Sequence, residues 1–367
     1  MSDVLEFGAL SDIRDKVETG ERLAFDDGLR LYRSEDLAAL GALAQKVRRR
    51  LHGNRVFYSV NLHINHTNIC NGHCLFCAFS KKPGEAGGYA LTPEEILQKA
   101  REAFAKWPVN EIHISGGHHP GLDLDYYVKM IRLLRKAYGT VYLKALSAPE
   151  IDDLAKRSGR SCREVLAALK REGLDGLPGG GGEIFAPRVR EQICADKIPA
   201  EEYLAIHRTA HELGLHTNAT MLYGHIENDE DRVDHVIRLR ALQDETRGFS
   251  SFVPLSFNPE NAQGMKLGLP GGILDLKVYA VSRLLLDNIP HLKAHWSATG
   301  LKLAQVALSF GVDDLGGTNL GEKIMHEAGS GAPTGLDPRE LERLITSAGY
   351  EPCLVDSAYL ESPARGR

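Results

Sequence analysis

The chain has 367 residues, 43% of them hydrophobic and 25% charged, which is an ordinary composition for a globular protein. Lys and Arg total 44 against 49 Asp and Glu, a net charge of −5, so no basic excess exists to bind a phosphate backbone and we expect no nucleic-acid partner. No apolar run approaches the roughly 20 residues that span a bilayer, and the N-terminus lacks a basic segment followed by an apolar one, so we expect a cytoplasmic protein without a membrane partner.

Short apolar strands alternate with amphipathic helices along most of the chain. We predict strands at 60–65, 111–115, 141–145, 173–177, 215–221, 252–257, 289–294 and 311–315. Predicted helices open at the capping motifs of Thr92 and Ser161, and others cover about 128–138, 199–213, 229–244, 273–287 and 299–309. Because each helix carries the chain back to the same end of the sheet, the strands must be parallel. Eight such units predict an α/β fold, a (β/α)8 TIM-type barrel that is closed or nearly so.

The predicted barrel spans residues 53–330 and carries an appendage at each end. Residues 1–52 read as mostly helical and either plug the base of the barrel or cover one side of it. Residues 331–367 contain a further helix at 338–348 and a strand-like end, which we expect to pack on the barrel. No linker rich in proline and serine separates these parts, so we predict one domain with appendages.

Three of the six cysteines, Cys70, Cys74 and Cys77, lie within eight residues in a C-x3-C-x2-C pattern. They follow the first predicted strand, in the kind of loop that builds active sites in barrels. Three thiolates on a short loop can hold three irons of a [4Fe–4S] cluster and leave the fourth iron open to a small molecule. We therefore predict a cluster with one free coordination position.

Two simpler interpretations compete with the cluster. A zinc site normally has a fourth Cys or His ligand, often from a second pair; His73 lies inside the loop, but no second pair exists in the sequence. Buried structural cysteines rarely crowd into a loop. The other three, Cys162, Cys194 and Cys353, are scattered and read as ordinary thiols in a reducing compartment rather than as ligands or disulfides.

The C-x3-C-x2-C pattern, with the aromatic Phe76 directly before the third cysteine, resembles the radical S-adenosylmethionine (SAM) superfamily. The resemblance implies that SAM binds the open iron and that an electron from the cluster releases a 5′-deoxyadenosyl radical. It also implies a reducing electron donor such as flavodoxin or ferredoxin. The loop after the second strand would receive the SAM amino group, through Gly116, Gly117 and His118.

From about residue 55 to 330 the chain resembles the aminofutalosine synthase family of the futalosine route to menaquinone. The segments that carry the resemblance are 63–68, 114–120, 177–185, 217–227, 254–261 and 303–315. The dehypoxanthine futalosine cyclase and the deazaflavin-cofactor synthases share part of this set, but the Thr-Ala-Thr-Met-Met form and the tryptophan typical of the cyclase do not occur here. Gly182 and residues 318–322 depart from the expected family pattern.

The family resemblance implies a specific reaction. The deoxyadenosyl radical would add to the vinyl carbon of 3-[(1-carboxyvinyl)oxy]benzoate, and rearrangement with decarboxylation would give 6-amino-6-deoxyfutalosine. SAM would be consumed as a substrate. The cyclase and a deazaflavin-cofactor synthase remain the alternatives.

This substrate carries two carboxylates, so the pocket must offer cationic or N–H donors. Candidates near strand ends are His63, Lys144, His225 and His291, with Asn218 to position polar groups. Each histidine could equally be a hydrogen-bonded structural residue, and Lys144 could pair with a surface acid such as Glu150.

The remaining candidates concern SAM. Glu183 follows four glycines and resembles the acid that binds the SAM ribose or amine, although a solvated loop glutamate fits the same pattern. Phe76 and Tyr223 could stack on adenine or belong to the core.

Overall fold

The computed structural model describes residues 8–262 and 264–360. The strands in these ranges are β1 (Arg55–Ser59), β2 (Asn61–Ile64), β3 (Glu111–Ile114), β4 (Tyr142–Ala145), β5 (Gly176–Leu177), β6 (His216–Tyr223), β7 (Phe249–Ser256), β8 (His291–Leu292), β9 (Asp314–Gly317) and β10 (Glu351–Leu354). The helices, besides a 3-10 turn at Gly8–Leu10, are α1 (Ser11–Thr19), α2 (Phe25–Arg33), α3 (Leu37–His52), α4 (Pro93–Phe104), α5 (Leu124–Ala137), α6 (Ala148–Ser158), α7 (Cys162–Arg171), α8 (Pro187–Ile193), α9 (Ala200–Glu212), α10 (Asp229–Thr246), α11 (Gly272–Leu285), α12 (Trp296–Thr299), α13 (Leu301–Ala307), α14 (Ile324–Glu327) and α15 (Pro338–Ser347).

Strands β2 to β8 form one seven-stranded parallel sheet in chain order. The ring continues through β9, because the Ala294 amide donates to the Asp314 carbonyl (2.8 Å) and the Leu320 amide to the Asn61 carbonyl (3.1 Å). Strand β1 runs into β2 across Val60 and pairs with β9 and β10. The sheet therefore curls into a barrel, and the predicted α/β barrel is confirmed.

Alternate residues of each strand face opposite sides of the barrel wall. Residues of one parity on four strands line an interior cavity: Asn61, His63, Glu111, His113, Asn218, Thr220, Lys293 and His295. Their neighbours of the other parity pack in the apolar core: Leu62, Ile64, Ile112, Ile114, Ala219, Met221, Leu292 and Ala294. A two-residue side-chain period forces this division. The result is a polar cavity inside an apolar shell.

The local helix signals in the sequence mark several helix ends correctly. Thr92 and Ser161 form capping boxes with Glu95 and Glu164 at the starts of α4 and α7, which satisfies amide groups that the first turn leaves unpaired. The predicted helix at 299–309 is wrong at its start. Gly300, with a left-handed φ of 82°, separates α12 from α13.

Helices α2 and α3 cover one side of the barrel. Both pack on α11, and α2 also contacts α10. The fit is close, since a Cβ added at Gly28 would stand 3.0 Å from side chains of Leu285 and Val233. Of the two placements considered for the N-terminal region, the described part covers a side of the barrel.

The base of the barrel is closed by the C-terminal segment that follows β10. The Ser357 hydroxyl accepts a hydrogen bond from Lys144 Nζ (2.8 Å), and the Tyr359 hydroxyl donates to Asp314 Oδ2 (2.7 Å). The Tyr359 ring also stacks on His291, with ring centroids 3.3 Å apart. This segment therefore seals the end of the cavity opposite the loops that follow the strands. None of the helices in the described ranges combines the length and apolar character needed to cross a membrane.

Replacing Tyr359 with Phe tests this closure. The change removes the hydrogen bond to the buried Asp314 carboxylate and keeps the ring on His291. We expect the free energy of unfolding in urea to fall by about 1–3 kcal/mol, since hydrogen bonds to charged groups contribute about that much. Tyr138→Phe is the control, because the Tyr138 ring stacks on Phe104. This change should alter the free energy of unfolding by less than about 0.5 kcal/mol. Equal effects of the two changes would contradict a specific role for Tyr359.

Candidate active site

The interior of the barrel contains a cavity of about 340 Å³. It opens among the loops that follow the strands, and most of the residues singled out in the sequence line it. Those residues are Cys70, Cys74, Cys77, Phe76, Gly116, Gly117, His118, His63, Lys144, Asn218 and Glu183. The fold therefore brings together side chains that lie more than a hundred residues apart, and the cysteine loop forms part of the cavity wall.

The cysteine loop is fixed by backbone contacts to the surrounding loops. The Cys70 amide donates to the Lys81 carbonyl and the Leu75 amide to the Ile193 carbonyl, both at 2.9 Å. His73 Nδ1 lies 2.9 Å from Asp196 Oδ2 at an exposed position and is not among the residues that line the cavity. The structure therefore does not bring His73 to the cysteines as a fourth ligand.

The three thiols do not all lie within 4.8 Å of one another, which is a wider spacing than a single zinc ion requires. Among the described residues, two groups of potential ligands bring three donor atoms within 4.8 Å of one another, and the loop cysteines are not one of them. Sulfur ligands of one zinc ion lie only about 3.8 Å apart, given Zn–S bonds of about 2.3 Å. Burial raises the pKa of the Cys74 thiol to about 12, so a thiolate there needs a bound metal to stabilise it. All three cysteines are free, and this donor set fits a [4Fe–4S] cluster.

The glycine loop after β3 packs directly on the cysteine loop. The Gly117 amide donates to the Thr67 carbonyl at 3.0 Å, and a Cβ at Gly117 would stand 2.2 Å from the carbonyl oxygen of Ile69. Only glycine permits that approach. The resemblance assigned this loop to the SAM amino group, and in the structure the close backbone approach at Gly117 is to the cysteine loop.

Glu150 anchors the other glycine of this loop. Its Oε1 accepts a hydrogen bond from the Gly116 amide at 3.2 Å, and its Oε2 accepts from Ser147. Burial raises the pKa of this carboxyl to about 7, against the hydrogen bonds from Ser147 and Gly116 that lower it. Glu150 therefore holds the backbone of the glycine loop through the Gly116 amide, and it does not pair with Lys144.

Glu183 is held at the cavity wall beside the cysteine loop. It adopts a left-handed φ of 43°, forms an ion pair with Lys197, and its carbonyl accepts from the Leu222 amide at 2.7 Å. Burial alone raises the pKa of this carboxyl, but the Lys197 ammonium reverses the shift and keeps the pKa low. Lys197 Nζ lies 5.2 Å from the centre of the Phe76 ring. An anionic Glu183 and an aromatic Phe76 thus share one cation next to the thiols.

The floor of the cavity carries two buried ion pairs. Lys144 Nζ lies 2.9 Å from Glu111 Oε1 and 3.0 Å from the Asn218 amide oxygen, while Lys293 Nζ lies 3.2 Å from Asp314 Oδ2. Burial raises the pKa of Glu111, but the two ammonium groups outweigh it and bring the pKa to about 2. Lys144 therefore pairs inside the barrel, and the surface pairing considered from the sequence is wrong.

Three imidazoles lie above these ion pairs. His63 and His113 are register partners on β2 and β3, with ring centroids 4.5 Å apart, and His295 follows β8. Burial lowers the pKa of His63 to about 3 and that of His295 to about 4, and it also holds the pKa of His113 well below its usual range. His113 Nε2 and His295 Nδ1 have no hydrogen-bond partner. The floor is thus lined by neutral imidazoles with unused hydrogen-bonding capacity.

Sequence reasoning missed His113, Lys293 and His295. A signal for them existed, because Glu111-x-His113 and Lys293-x-His295 place polar residues at alternate positions of strands whose other positions are apolar. Lys197 was also missed, and it stands in a loop where no periodic pattern distinguishes it.

Three predicted site residues lie away from the cavity. The Tyr223 hydroxyl donates to Asp275 Oδ1 (2.6 Å) beneath α11, because Tyr223 has the opposite parity from the cavity-lining Leu222. His225 Nδ1 lies 3.1 Å from Glu227 with its side chain fully buried. His291 Nδ1 lies 2.7 Å from Asp313 at the base. The structure thus gives these three side chains structural partners outside the cavity lining, although His225 lies close enough to Glu183 for each to shift the pKa of the other.

Comparison with known proteins identifies the fold and the relatives of the chain. Residues 64–239 match the model of the radical SAM superfamily, and residues 246–364 match the CofH/MqnC C-terminal region. The solved structure of methylornithine synthase matches 94% of this chain and 98% of its own, with a TM-score of 0.76 at 18% identity. At that identity the likeness concerns the fold alone.

Two curated relatives are similar over most of their length. The chain is 47% identical over 356 residues to the aminodeoxyfutalosine synthase of Thermus thermophilus, which covers 96% of this chain and 95% of the relative. It is 41% identical over 321 residues to the 5-amino-6-(D-ribitylamino)uracil–L-tyrosine 4-hydroxyphenyl transferase of Methanopyrus kandleri, which covers 86% of this chain and 87% of the relative.

Single replacements of Cys70, Cys74 or Cys77 by Ala test the cluster site. Each removes one of three thiolates, so we expect anaerobically reconstituted variants to lose most of their iron and their visible iron–sulfur absorbance. Cys162→Ala, in α7, is the control and should retain about four irons per chain. A wild-type protein that takes up zinc in place of iron would contradict the assignment.

Gly117→Ala tests the contact between the two loops. A Cβ at position 117 would stand 2.2 Å from the Ile69 carbonyl oxygen, so the backbone of one of the two loops would have to shift. We expect the free energy of unfolding to fall by about 2–3 kcal/mol. Iron content should fall with it. Gly139→Ala, where the added Cβ has no neighbour within 4 Å, should change stability by less than about 0.5 kcal/mol. Equal stability of the two variants in urea would contradict a role for the contact between the two loops.

Proposed function

The chain belongs to the radical SAM superfamily and to its aminodeoxyfutalosine synthase family, and from this premise we propose that it carries out the synthase reaction. It joins the 5′-deoxyadenosyl group of SAM to 3-[(1-carboxyvinyl)oxy]benzoate. Rearrangement and decarboxylation then give 6-amino-6-deoxyfutalosine for menaquinone biosynthesis, and methionine is released. The enzyme thereby consumes SAM as a substrate.

The observation that carries this proposal is the layout of the cavity. One end has three free cysteines, and the floor has two lysines and three imidazoles within the same 340 Å³ space. A substrate with two carboxylates needs N–H and cationic donors once it leaves water. The imidazoles of the floor offer N–H donors, while its two lysine cations are already paired with Glu111 and Asp314.

A [4Fe–4S] cluster in this site supplies the electron that cleaves the sulfonium of SAM. We assign Cys70, Cys74 and Cys77 as its ligands. The backbone of Gly116, Gly117 and His118 would receive the SAM amino group, because Glu150 and the cysteine loop hold that backbone in place.

Glu183 and Phe76 would orient the nucleoside end of SAM. Glu183 is buried and kept ionised by Lys197, so it can accept hydrogen bonds from ribose hydroxyls. Phe76 offers a ring face near the thiols. On the substrate side, His63, Lys144 and Asn218 lie on the floor and would position the carboxylates, while the closed base excludes water from reactive intermediates.

The transferase relative defines a second candidate reaction, because its identity to this chain is nearly as high. The name of that relative describes transfer of a 4-hydroxyphenyl group between tyrosine and 5-amino-6-(D-ribitylamino)uracil, and neither substrate has two carboxylates. The two candidates therefore differ in substrates and in the fate of the deoxyadenosyl group.

Product analysis tests the proposal. The reduced, cluster-loaded enzyme is incubated anaerobically with SAM and 3-[(1-carboxyvinyl)oxy]benzoate, or with SAM, tyrosine and 5-amino-6-(D-ribitylamino)uracil. We expect mass spectrometry to find an adenosyl adduct and methionine with the first mixture. Free 5′-deoxyadenosine together with a tyrosine-derived product from the second mixture would replace the synthase assignment. The Cys77→Ala variant serves as the inactive control.

We further propose a cytoplasmic enzyme that receives its electron from a flavodoxin or a ferredoxin. Cys70, Cys74, Cys77, Cys162 and Cys194 form no disulfide, as expected in a reducing compartment. An oxygen-sensitive cluster with an open iron also requires reducing conditions.

A further inference from the structure

The charges on the cavity floor are already balanced before any ligand enters. Lys144 is paired with Glu111 and Lys293 with Asp314, so the four groups sum to zero. The three imidazoles above them are neutral, since burial holds their pKa values well below the usual range. A carboxylate that binds here brings an uncompensated negative charge into a buried space, which is costly unless a cation forms.

His113 and His295 are the groups best placed to form that cation. Both line the cavity as half-buried residues, and each has a ring nitrogen without a hydrogen-bond partner. His63 is less available, because its Nε2 lies 3.3 Å from the side-chain amide of Asn61.

We propose that the floor is a carboxylate subsite and that a bound carboxylate is neutralised by a proton taken up at His113 and His295. The proposal rests on the proposed function for the identity of the ligand, an aryl or enol-ether carboxylate. Binding is then coupled to the uptake of about one proton. The imidazolium formed donates a charge-assisted hydrogen bond to the ligand.

The charged groups around His113 and His295 determine under which conditions the two imidazoles hold this proton. The groups that act on them are His63 on β2, Lys144 on β4 and Lys293 beside β8. The two lysines are paired in turn with Glu111 on β3 and Asp314 on β9. The two lysines oppose protonation, and burial opposes it more. A ligand carboxylate counteracts both effects, because it is an unpaired negative charge at close range.

The sign of the pH dependence follows. In the free enzyme the pKa of His295 is about 4, so the imidazoles are neutral near neutral pH. With the carboxylate bound, their pKa rises. Affinity is therefore highest at low pH and is lost as the pH rises through the pKa of the bound state.

Calorimetry on the cluster-loaded, oxidised enzyme measures this coupling. The ligand is 3-[(1-carboxyvinyl)oxy]benzoate, added without SAM or reductant so that nothing turns over. Titrations at about pH 7.5 in phosphate and in Tris, buffers with different ionisation enthalpies, give the number of protons taken up. We expect about 0.5–1 proton, and a Kd that rises up to about tenfold per pH unit above neutrality.

A double variant identifies the proton acceptor. His113→Gln/His295→Gln keeps hydrogen-bonding side chains that cannot be protonated, so uptake should fall close to zero and the pH dependence should flatten. His235→Gln is the matched control, because His235 is buried with an unpartnered Nδ1 but packs on Phe185 outside the cavity. It should retain wild-type uptake.

Two results would overturn the inference. One is binding by the wild-type enzyme with no proton uptake, which would mean that the existing lysines suffice. The other is full uptake by the double variant, which would place the proton elsewhere, for example on Glu150.

Turnover separates this inference from the reaction assignment. If the enzyme forms the adduct but takes up no proton, only the carboxylate-subsite proposal is contradicted. If it takes up a proton on binding but forms no adduct, only the synthase reaction is contradicted.

Discussion

The organisation of this molecule depends on one constraint, the alternation of side chains across a curled parallel sheet. When such a sheet closes on itself, every second side chain must enter the interior. In many barrels those positions are filled by branched apolar residues. Here they are Asn, His, Glu and Lys on β2, β3, β4 and β6 and in the residues directly after β8. The interior therefore remains a cavity, and stability has to come from the shell of apolar residues beneath the helices.

The two ends of that cavity are built by different means. At the mouth, loops lie backbone against backbone: the cysteine loop rests on the glycine loop at Gly117 and on the segment at Ile193. Their geometry is set by steric fit and amide hydrogen bonds, which suits a site that must hold three thiolates at fixed spacing. At the base, the geometry is set by hydrogen bonds between side chains. Ser357 and Tyr359 bind the same charged residues that form the floor.

This arrangement couples the last residues of the described chain to the site. Buried ion pairs contribute little net stability, because desolvation offsets their attraction. The pairs of Lys144 and Lys293 are better understood as fixed charges that define what the floor accepts. Tyr359 and Ser357 satisfy them from below, and the neutral histidines are left to respond to a ligand from above. A change in the C-terminal segment therefore acts on binding as well as on stability.

The sequence by itself determined whatever depends on neighbours along the chain: the cysteine spacing, the strand and helix order, and the capping boxes at Thr92 and Ser161. It did not determine which distant side chains meet. The pairing of Lys144 with Glu111, the outward direction of Tyr223 and the closure of the base by Tyr359 were decided by strand register and barrel closure. The physical reason is that a shift of one residue along a strand exchanges the inner and outer faces, and an unbroken apolar run such as Met221 to Tyr223 has no alternation that tells the two faces apart.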